Sequence, residues 1–270
     1  MRLIQHKKEA YWFYRFLSTG YDRWVNPLFW TAPMRSAALD AARLDERRLR
    51  TLDAGAGTGF TTEGIVERVD ADCVTMLDQS PHQLRHAERK PALERCTKVL
   101  GDAEALPLPT DHFDRYVSAG SIEYWPAPER GIAEAYRVLA PGGVALLVGP
   151  VPPGDRLLRR LAELWMLFPT EDQYREWFER AGFEDVSLVP VAPDWYRDRR
   201  SRYGVAVSGR KPAAGPSPLP LAATEDLSAP MSARERLRFA GRFVLGSLAG
   251  AVFVPVGIAL ALRARLGGAR

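Results

Sequence analysis

The residues best placed to do chemistry are an acid and three alternating glycines that follow a short apolar run. Residues 50–60 read Arg-Thr-Leu-Asp-Ala-Gly-Ala-Gly-Thr-Gly-Phe, which places Asp53 ahead of Gly55, Gly57 and Gly59. Glycine lets the backbone turn with positive φ and lets a ligand come closer than a Cβ would allow. Such a loop is typical of a nucleotide-type ligand held at the end of a parallel strand. For the glycines alone, an ordinary glycine-rich turn is the alternative.

Two further acids lie at the ends of predicted strands. Asp78 ends the apolar run 73–78, and an acid there can accept hydrogen bonds from both hydroxyls of a ribose. Asp102 follows the predicted strand 97–100, where a carboxylate can accept from the amine of an adenine or merely cap a turn. Because the glycine loop and Asp78 occur together at a suitable separation, the pair is more specific than either feature alone.

A loop with an acid and two aromatic residues follows the predicted fourth strand, 113–119. It contains Glu123, Tyr124 and Trp125 and is expected beside the bound ligand. Glu123 is a candidate general base. His82, on the helix after Asp78, is a second candidate, although a histidine there is more often structural or close to the ligand.

The elements that must position these residues alternate between strand and helix. Apolar strands at 50–54, 73–78, 97–100, 113–119 and 144–148 are separated by helical patterns, which predicts βαβ units with parallel strands. Two later strands, 184–189 and 203–208, are expected to pair antiparallel at the end of the sheet. The sequence therefore predicts a mostly parallel sheet with helices on both faces and an antiparallel last strand.

The first 48 residues are unusually aromatic, and several of these residues recur at helical spacing. One interpretation is a helix packed on the core. The other is an apolar lid over an apolar substrate, because aromatic rings offer a large contact area with few rotors. The lid candidates are Tyr11, Trp12, Tyr14, Tyr21 and Trp30.

The C-terminal part of the chain changes composition after residue 210. Residues 211–233 are rich in Pro, Ala, Gly and Ser, which is typical of a linker. Residues 243–262 then run without a charge between arginines, a length that can cross a bilayer once. An interfacial amphipathic helix, or a hairpin dipping in at Pro255, is the alternative. Glycine and proline within the run are tolerated in membrane helices.

Composition and charge exclude several classes of protein. The net charge is +4, but arginines are scattered among acids, so no nucleic acid is expected as a partner. Cys73 and Cys96 have no metal or redox spacing, which predicts unpaired buried thiols and no metal site. The N-terminal residues predict neither a secretory signal nor a transit peptide.

The order of glycine loop, ribose acid and Gly-Asp-Ala-Glu turn resembles the class I S-adenosylmethionine-dependent methyltransferases. That resemblance implies a Rossmann-like fold with S-adenosylmethionine as cofactor. By the same resemblance, Asp53 and the loop face the methionine portion, Asp78 the ribose, and Asp102 with Ala103 the adenine. The implied cofactor-binding set is Asp53, Gly55, Gly57, Gly59, Asp78, Gln79, Asp102, Ala103 and Ser118.

A closer resemblance covers residues 7–210. Runs at 8–18, 77–84, 116–126 and 165–169 are similar to the 2-methyl-6-phytylbenzoquinol (MPBQ/MSBQ) methyltransferases of tocopherol and plastoquinone synthesis. That family implies C-methylation of a prenylated hydroquinone ring and a lipid bilayer as partner. The implied substrate-binding residues are Tyr11, Trp12, Tyr14, Tyr21, Trp30, Tyr124 and Trp125. Alternatives are a menaquinone/ubiquinone-type or sterol-like lipid methyltransferase and, outside enzymes, a non-catalytic membrane scaffold.

These interpretations divide the chain into four parts. An aromatic N-terminal helical cap occupies 1–48, a methyltransferase domain 49–210, a linker 211–233 and a membrane anchor 234–270. The expected location is a membrane, held by a single C-terminal helix with the catalytic domain on the cytoplasmic side. A prokaryotic host is expected, or the plastid envelope if the chain comes from a plant or alga. The oligomeric state is left open.

Overall fold

The structure is a computed structural model that describes residues 29–196, 202–220 and 232–267. Within these residues seven strands form one sheet: β1 (Thr51–Ala54), β2 (Val74–Asp78), β3 (Thr97–Leu100), β4 (Phe113–Ala119), β5 (Leu139–Pro150), β6 (Glu184–Val191) and β7 (Gly204–Arg210). Their order is β3-β2-β1-β4-β5-β7-β6. The first five strands are parallel, and β7 runs antiparallel to both β5 and β6. The predicted sheet with its antiparallel finish is confirmed.

Helices connect these strands in the predicted alternation. They are α1 (Ala32–Asp40), α2 (Phe60–Val66), α3 (Pro81–Glu88), α4 (Pro128–Val138), α5 (Arg156–Trp165), α6 (Glu171–Arg180) and α7 (Ala233–Gly267). Single 3-10 turns occur at Ala71–Cys73, Pro91–Leu93 and Ile122–Tyr124. The last of these turns contains the predicted acid and one of its aromatic neighbours.

Local capping residues determine where the helices begin. Ser80 Oγ accepts the Gln83 N–H at 3.4 Å, and Pro81 occupies the first turn of α3. At α6, Thr170 Oγ1 accepts the Gln173 N–H at 3.2 Å, and the Gln173 side chain accepts the Thr170 N–H at 2.9 Å. This reciprocal pair is a capping box. The Ser80 cap therefore makes α3 begin shortly after Asp78, the acid that ends β2.

The central strands are buried on both faces. Tyr116 of β4 and Leu147 of β5 lie in one hydrophobic cluster, and a neighbouring residue on each strand, Val117 and Leu146, lies in the other. Successive side chains of a strand point to opposite faces, so both faces of the sheet are covered by helices. Polar groups meant for a ligand can therefore reach it only from the ends of the strands.

The two cysteines pack at one edge of the second of these clusters. Cys96 is buried within it and Cys73 packs half-buried against it. Both thiols are free. The prediction of unpaired thiols is confirmed, and the prediction of burial is confirmed for Cys96 only.

The C-terminal segment differs from its prediction. Residues 243–262 belong to α7, but no helix in the described ranges is long and apolar enough to cross a membrane. The prediction of a single membrane-spanning C-terminal helix, with the catalytic domain on the cytoplasmic side, is therefore wrong. Part of the stretch packs on the protein instead. Ala249 is buried in a cluster with Trp165 of α5, and the Phe253 ring lies 5.7 Å from the Trp165 ring.

Candidate functional site

The glycine loop between β1 and α2 has the backbone that its sequence predicts. Gly55, Gly57 and Gly59 have φ values of +74°, +56° and +85°, a region that L-residues with side chains rarely adopt. A Cβ at Gly55 would come within 2.6 Å of the Ser121 Cβ, whereas one at Gly57 would meet nothing within 4 Å. The loop therefore packs tightly against Ser121 and leaves open space at Gly57, where a ligand can approach the backbone.

Asp78, the last residue of β2, ties this loop to the sheet. Its Oδ2 accepts the Gly57 N–H at 2.9 Å, and its Oδ1 accepts the Ser80 N–H at 2.8 Å. The side chain is only 8% exposed. A carboxylate oxygen has further acceptor capacity beyond one N–H. Asp78 can therefore hold the loop and still accept from a ribose hydroxyl, and that ribose contact stays a prediction.

Asp53, at the carboxyl end of β1, is the more unusual acid. Its Oδ2 accepts the Thr62 hydroxyl at 2.6 Å, whereas its Oδ1 has no hydrogen-bond partner among the described residues. Burial is the main cause that raises the pKa of Asp53 to about 7; the Thr62 hydrogen bond opposes this rise, and the charge of Asp78 adds to it. A ligand ammonium group would supply the missing donor and favour the charged carboxylate.

The other predicted cofactor residues surround the loop in different roles. Ser118 Oγ is buried, donates to the Ala54 carbonyl at 2.7 Å and lies 2.6 Å from Ser121 Oγ. Ser118 therefore braces the end of β1. Asp102 Oδ1 accepts the Glu104 N–H at 2.9 Å, which is the turn-capping role weighed from the sequence. Ala103 is buried next to Asp102, and Gln79 is half-buried next to Asp78; their cofactor contacts stay predictions.

The two candidate bases differ in their surroundings. Glu123 lies in the 3-10 turn after β4, and its Oε2 is sealed from solvent without a hydrogen-bond partner in the described residues. Burial raises the pKa of Glu123 to about 7. His82 lies exposed on α3, with its Nδ1 2.6 Å from an Arg85 nitrogen. The geometry favours Glu123 over His82 as a group that could exchange a proton with a bound substrate.

The predicted substrate-binding residues are only partly described. Tyr11, Trp12, Tyr14 and Tyr21 lie outside the described ranges. Trp30 is half-buried and donates from Nε1 to Thr61 Oγ1 at 3.4 Å, at the start of α2.

The two aromatic residues after Glu123 are both buried. Tyr124 packs in a cluster with Trp165 of α5, and Trp125 lies in the core, where a Cβ on Gly131 would collide with its ring. These positions show packing, and substrate contact stays a prediction for both.

Sequence reasoning missed two hydroxyl residues of the site. Thr62, nine residues after Asp53, is wholly buried and donates to that carboxylate. Ser121 is the side chain against which the glycine loop packs. The available signal for Thr62 was its place in the first turn of the helix behind the loop, where a side chain faces back toward the strand end. For Ser121 no local pattern existed.

The chain is similar in sequence to known methyltransferases. A family model described as "Methyltransferase domain" matches residues 52–147. The chain is 56% identical, over 95% of its own length and 77% of the relative's, to the chloroplastic 2-methyl-6-phytyl-1,4-hydroquinone methyltransferase of Arabidopsis thaliana. It is 33% identical, over 57% of the chain and 73% of the relative, to a ubiquinone/menaquinone biosynthesis C-methyltransferase of Methylobacterium nodulans.

Solved structures agree on the fold. An S-adenosylmethionine-dependent methyltransferase of Thermotoga maritima matches with a TM-score of 0.56 at 20% identity, covering 75% of this chain and 99% of that one. One from Mesorhizobium loti matches with a TM-score of 0.54 at 21% identity, covering 66% of this chain and 99% of that one. The predicted Rossmann-like methyltransferase fold is therefore confirmed.

The residues at the loop fit S-adenosylmethionine, which is the cofactor of this enzyme. The open space at Gly57 admits a ligand, and Asp53 Oδ1 lacks the donor that an ammonium group would supply. The same loop and acids lie within the stretch that is similar to the relatives. On this agreement the chain belongs to the S-adenosylmethionine-dependent methyltransferases, in the family of the 2-methyl-6-phytyl-1,4-hydroquinone methyltransferases.

Proposed function

We propose that this enzyme transfers a methyl group to a ring carbon of a prenylated hydroquinone of the 2-methyl-6-phytyl-1,4-hydroquinone type. The observation that carries the proposal is the identity of 56% over 95% of the chain to a methyltransferase named for that substrate. Identity over so much of the chain includes the parts outside the shared cofactor domain. Those parts are where members of one fold family differ in substrate.

The chain's own residues have separable roles in this proposal. S-adenosylmethionine, when bound, supplies a methyl group on a positively charged sulfur. Asp53 holds the amino group of the methionine portion, Asp78 the ribose hydroxyls, and Asp102 with Ala103 the adenine. Positioning the ring carbon against that methyl group, with water excluded, is the enzyme's main contribution to the rate.

The substrate side of the site is proposed to be aromatic. Tyr124 and Trp165 lie in one cluster beside the loop that follows β4, which supports an apolar wall there. The aromatic cap 1–48, with Tyr11, Trp12, Tyr14, Tyr21 and Trp30, is proposed to complete that wall. Since a prenyl chain resides in lipid, contact with a lipid surface is part of the proposal, and it requires no spanning helix.

A second candidate substrate is a ubiquinone or menaquinone precursor. The relative from Methylobacterium nodulans supports it, with 33% identity, but over only 57% of the chain. Both substrates are prenylated rings methylated at carbon, so the cofactor site does not distinguish them. The two substrates are distinguished by their rings and by the substituents on those rings.

The test gives the full-length enzyme each substrate in detergent micelles. Methyl-labelled S-adenosylmethionine is supplied with 2-methyl-6-phytylhydroquinone or with a demethylated menaquinol, and products are identified by mass spectrometry. Label should enter the phytyl substrate at a ring carbon, with kcat/KM at least tenfold above that for the menaquinol. Gly57→Val, which fills the open space at the loop, should abolish both reactions. Preference for the menaquinol would overturn the proposed substrate, and label on oxygen would overturn C-methylation.

A further inference from the structure

Glu123 lies in the turn that follows the carboxyl end of β4. It follows β4, the neighbour of β1 in the centre of the sheet, and β1 carries the cofactor loop. In an open sheet of parallel strands, ligands bind beyond the carboxyl ends of the strands. Gly120 lies between β4 and Glu123, and a Cβ there would be 3.9 Å from Glu123 Oε1. Glycine therefore places no side chain over Oε1 on that side.

Glu123 differs from two other shielded glutamates of the described chain, because its carboxyl group receives a hydrogen bond only from its own backbone N–H and none from another described residue. Glu104 Oε1 accepts the Ala127 N–H at 2.6 Å, and Glu134 forms an ion pair with Arg137 at 2.8 Å. Glu123 Oε2 is as well shielded, yet the described residues offer it no donor. A buried polar atom without a partner costs about 1–3 kcal/mol, so such an atom calls for a functional explanation.

The surroundings hold this carboxyl group in place without neutralising it. The Glu123 carbonyl accepts the Leu167 N–H at 3.0 Å, which fixes the turn against the segment after α5. Tyr174 of α6 is a titratable group close enough to feel the charge of Glu123, and its hydroxyl donates to the Pro150 carbonyl at 3.1 Å. Because Pro150 already accepts that proton, Tyr174 does not donate it to Glu123.

We infer that Glu123 is the catalytic base that takes the hydroxyl proton of the hydroquinone. This inference rests on the proposed function and assigns the proton transfer within it. The O–H bond breaks, the proton moves to the carboxylate, and the oxygen's electron density makes a ring carbon nucleophilic. That carbon forms a bond to the methyl carbon while the methyl–sulfur bond breaks and its electron pair stays on sulfur. The ring then loses the proton of the methylated carbon to solvent and regains its aromaticity, and the oxygen takes its proton back from Glu123, which restores both the hydroquinone and the carboxylate.

The environment of Glu123 sets the pH at which this base works. Burial raises its pKa to about 7, from an ordinary value of 4.5. The carboxylate, which is the active form, therefore becomes the majority form only as the pH rises through about 7. A base with such a pKa is well matched to neutral conditions, because it is both available and strong enough to accept a proton.

The experiment compares Glu123→Gln with Glu129→Gln, a control at an exposed ion pair with Arg180. Methylation of 2-methyl-6-phytylhydroquinone and binding of S-adenosylmethionine are measured from pH 6 to 10. Glu123→Gln should lose kcat by a factor of about 10²–10⁴ at pH 8 and keep its cofactor affinity. The loss should shrink at alkaline pH, where the hydroquinone ionises without help. Glu129→Gln should match the wild type throughout.

Two results with Glu123→Gln would contradict the inference. Activity of Glu123→Gln within threefold of wild type at pH 8 would overturn it. So would a loss of equal size at every pH, because that pattern indicates a structural role. Infrared difference spectra give a readout without turnover: two protonated carboxyl groups, Asp53 and Glu123, should titrate near pH 7 in the wild type, and Glu123→Gln should keep the Asp53 contribution alone. If the wild type methylates none of the hydroquinones, the proposed function fails and this inference fails with it, whereas a failure of the inference alone leaves wild-type methylation intact.

Discussion

At the scale of single residues, the site keeps two acids at a cost to stability. Burial raises the pKa of both Asp53 and Glu123 to about 7, so both carboxylates resist ionising in the folded protein without ligands. Asp78 differs, because two backbone N–H groups compensate its charge. The Asp78 carboxylate therefore holds the loop, whereas the carboxylates of Asp53 and Glu123 need a ligand that supplies a positive charge or a proton.

The first prediction concerns Asp53→Asn and the pH. An Asp whose pKa rises on folding contributes stability that is fully present below its unfolded value, near 3.8, and is lost as the pH rises through about 7. Without ligand, Asp53→Asn should therefore gain stability over wild type by ~1 kcal/mol or more at pH 8, and by less at pH 5.5. Urea unfolding at both pH values measures this difference. A difference that does not change with pH would contradict the assigned pKa.

The second prediction separates backbone strain from ligand contact at Gly57. Gly57 and Gly142 both have positive φ, and a Cβ added at either would meet nothing within 4 Å, but only Gly57 lies in the cofactor loop. Alanine at either position should cost ~1–2 kcal/mol of stability through strain alone. Only Gly57→Ala should weaken S-adenosylmethionine binding, by tenfold or more. Calorimetry that found equal affinity in both variants would show that the cofactor does not approach Gly57.

At the scale of elements, the sequence predicts what local signals encode. The alternation of apolar runs and helical patterns predicts the order of strands and helices, and Ser80 followed by Pro81 marks the start of α3. The sequence predicts the loop with Asp53 because the acid and the glycines that form it lie close together along the chain. The sequence does not predict that Thr62 and Ser121 contact this loop, because those contacts exist only after β1, α2 and β4 have come together.

Two other elements show the same limit. Pro141-Gly142-Gly143 predicts the end of a helix, and α4 does end at Val138, but β5 begins at once and runs through that segment. An apolar run such as 243–262 has the same pattern whether its partner is lipid or protein. Only the packing of α7 on α5 reveals that Trp165 covers part of it.

The third prediction tests this contact between α7 and α5. A Cβ on Gly250 would lie 3.0 Å from the Trp165 ring, whereas one on Gly241, earlier in the same helix, would meet nothing within 4 Å. Gly250→Leu should therefore push α7 away, shift Trp165 fluorescence toward that of a solvated ring and speed proteolysis of α7. Gly241→Leu serves as the matched control and should leave both unchanged. Identical behaviour of the two variants would mean that α7 does not rest on Trp165.

At the scale of the whole molecule, residues just past the boundary predicted at residue 210 are buried. Lys211 is wholly buried, and its ammonium donates to Asp111 at 2.5 Å, to the Gly215 carbonyl at 2.8 Å and to the Arg137 carbonyl at 3.3 Å. Burial alone would raise the pKa of Asp111, but hydrogen bonds from Lys211 and the Gly215 N–H hold it below its ordinary value. Leu219 is also buried. We propose that residues 211–220 belong to the catalytic domain.

The last prediction compares two truncated chains, one ending at Lys211 and one ending at Pro220. Both lack α7, so their difference reports on the segment 212–220 alone. In the shorter chain, the buried ammonium group of Lys211 no longer has the Gly215 carbonyl as an acceptor. That chain also lacks Leu219 and the Ser217 hydroxyl, which donates to the Ala181 carbonyl at 2.9 Å. An orphaned buried donor and a lost buried leucine together should cost ~3–5 kcal/mol. The chain ending at Pro220 should accordingly unfold at higher urea concentration and bind S-adenosylmethionine more completely at 37 °C. Equal urea midpoints for the two chains would support a domain boundary at residue 210. They would also show that residues 212–220 do not stabilise the buried Lys211.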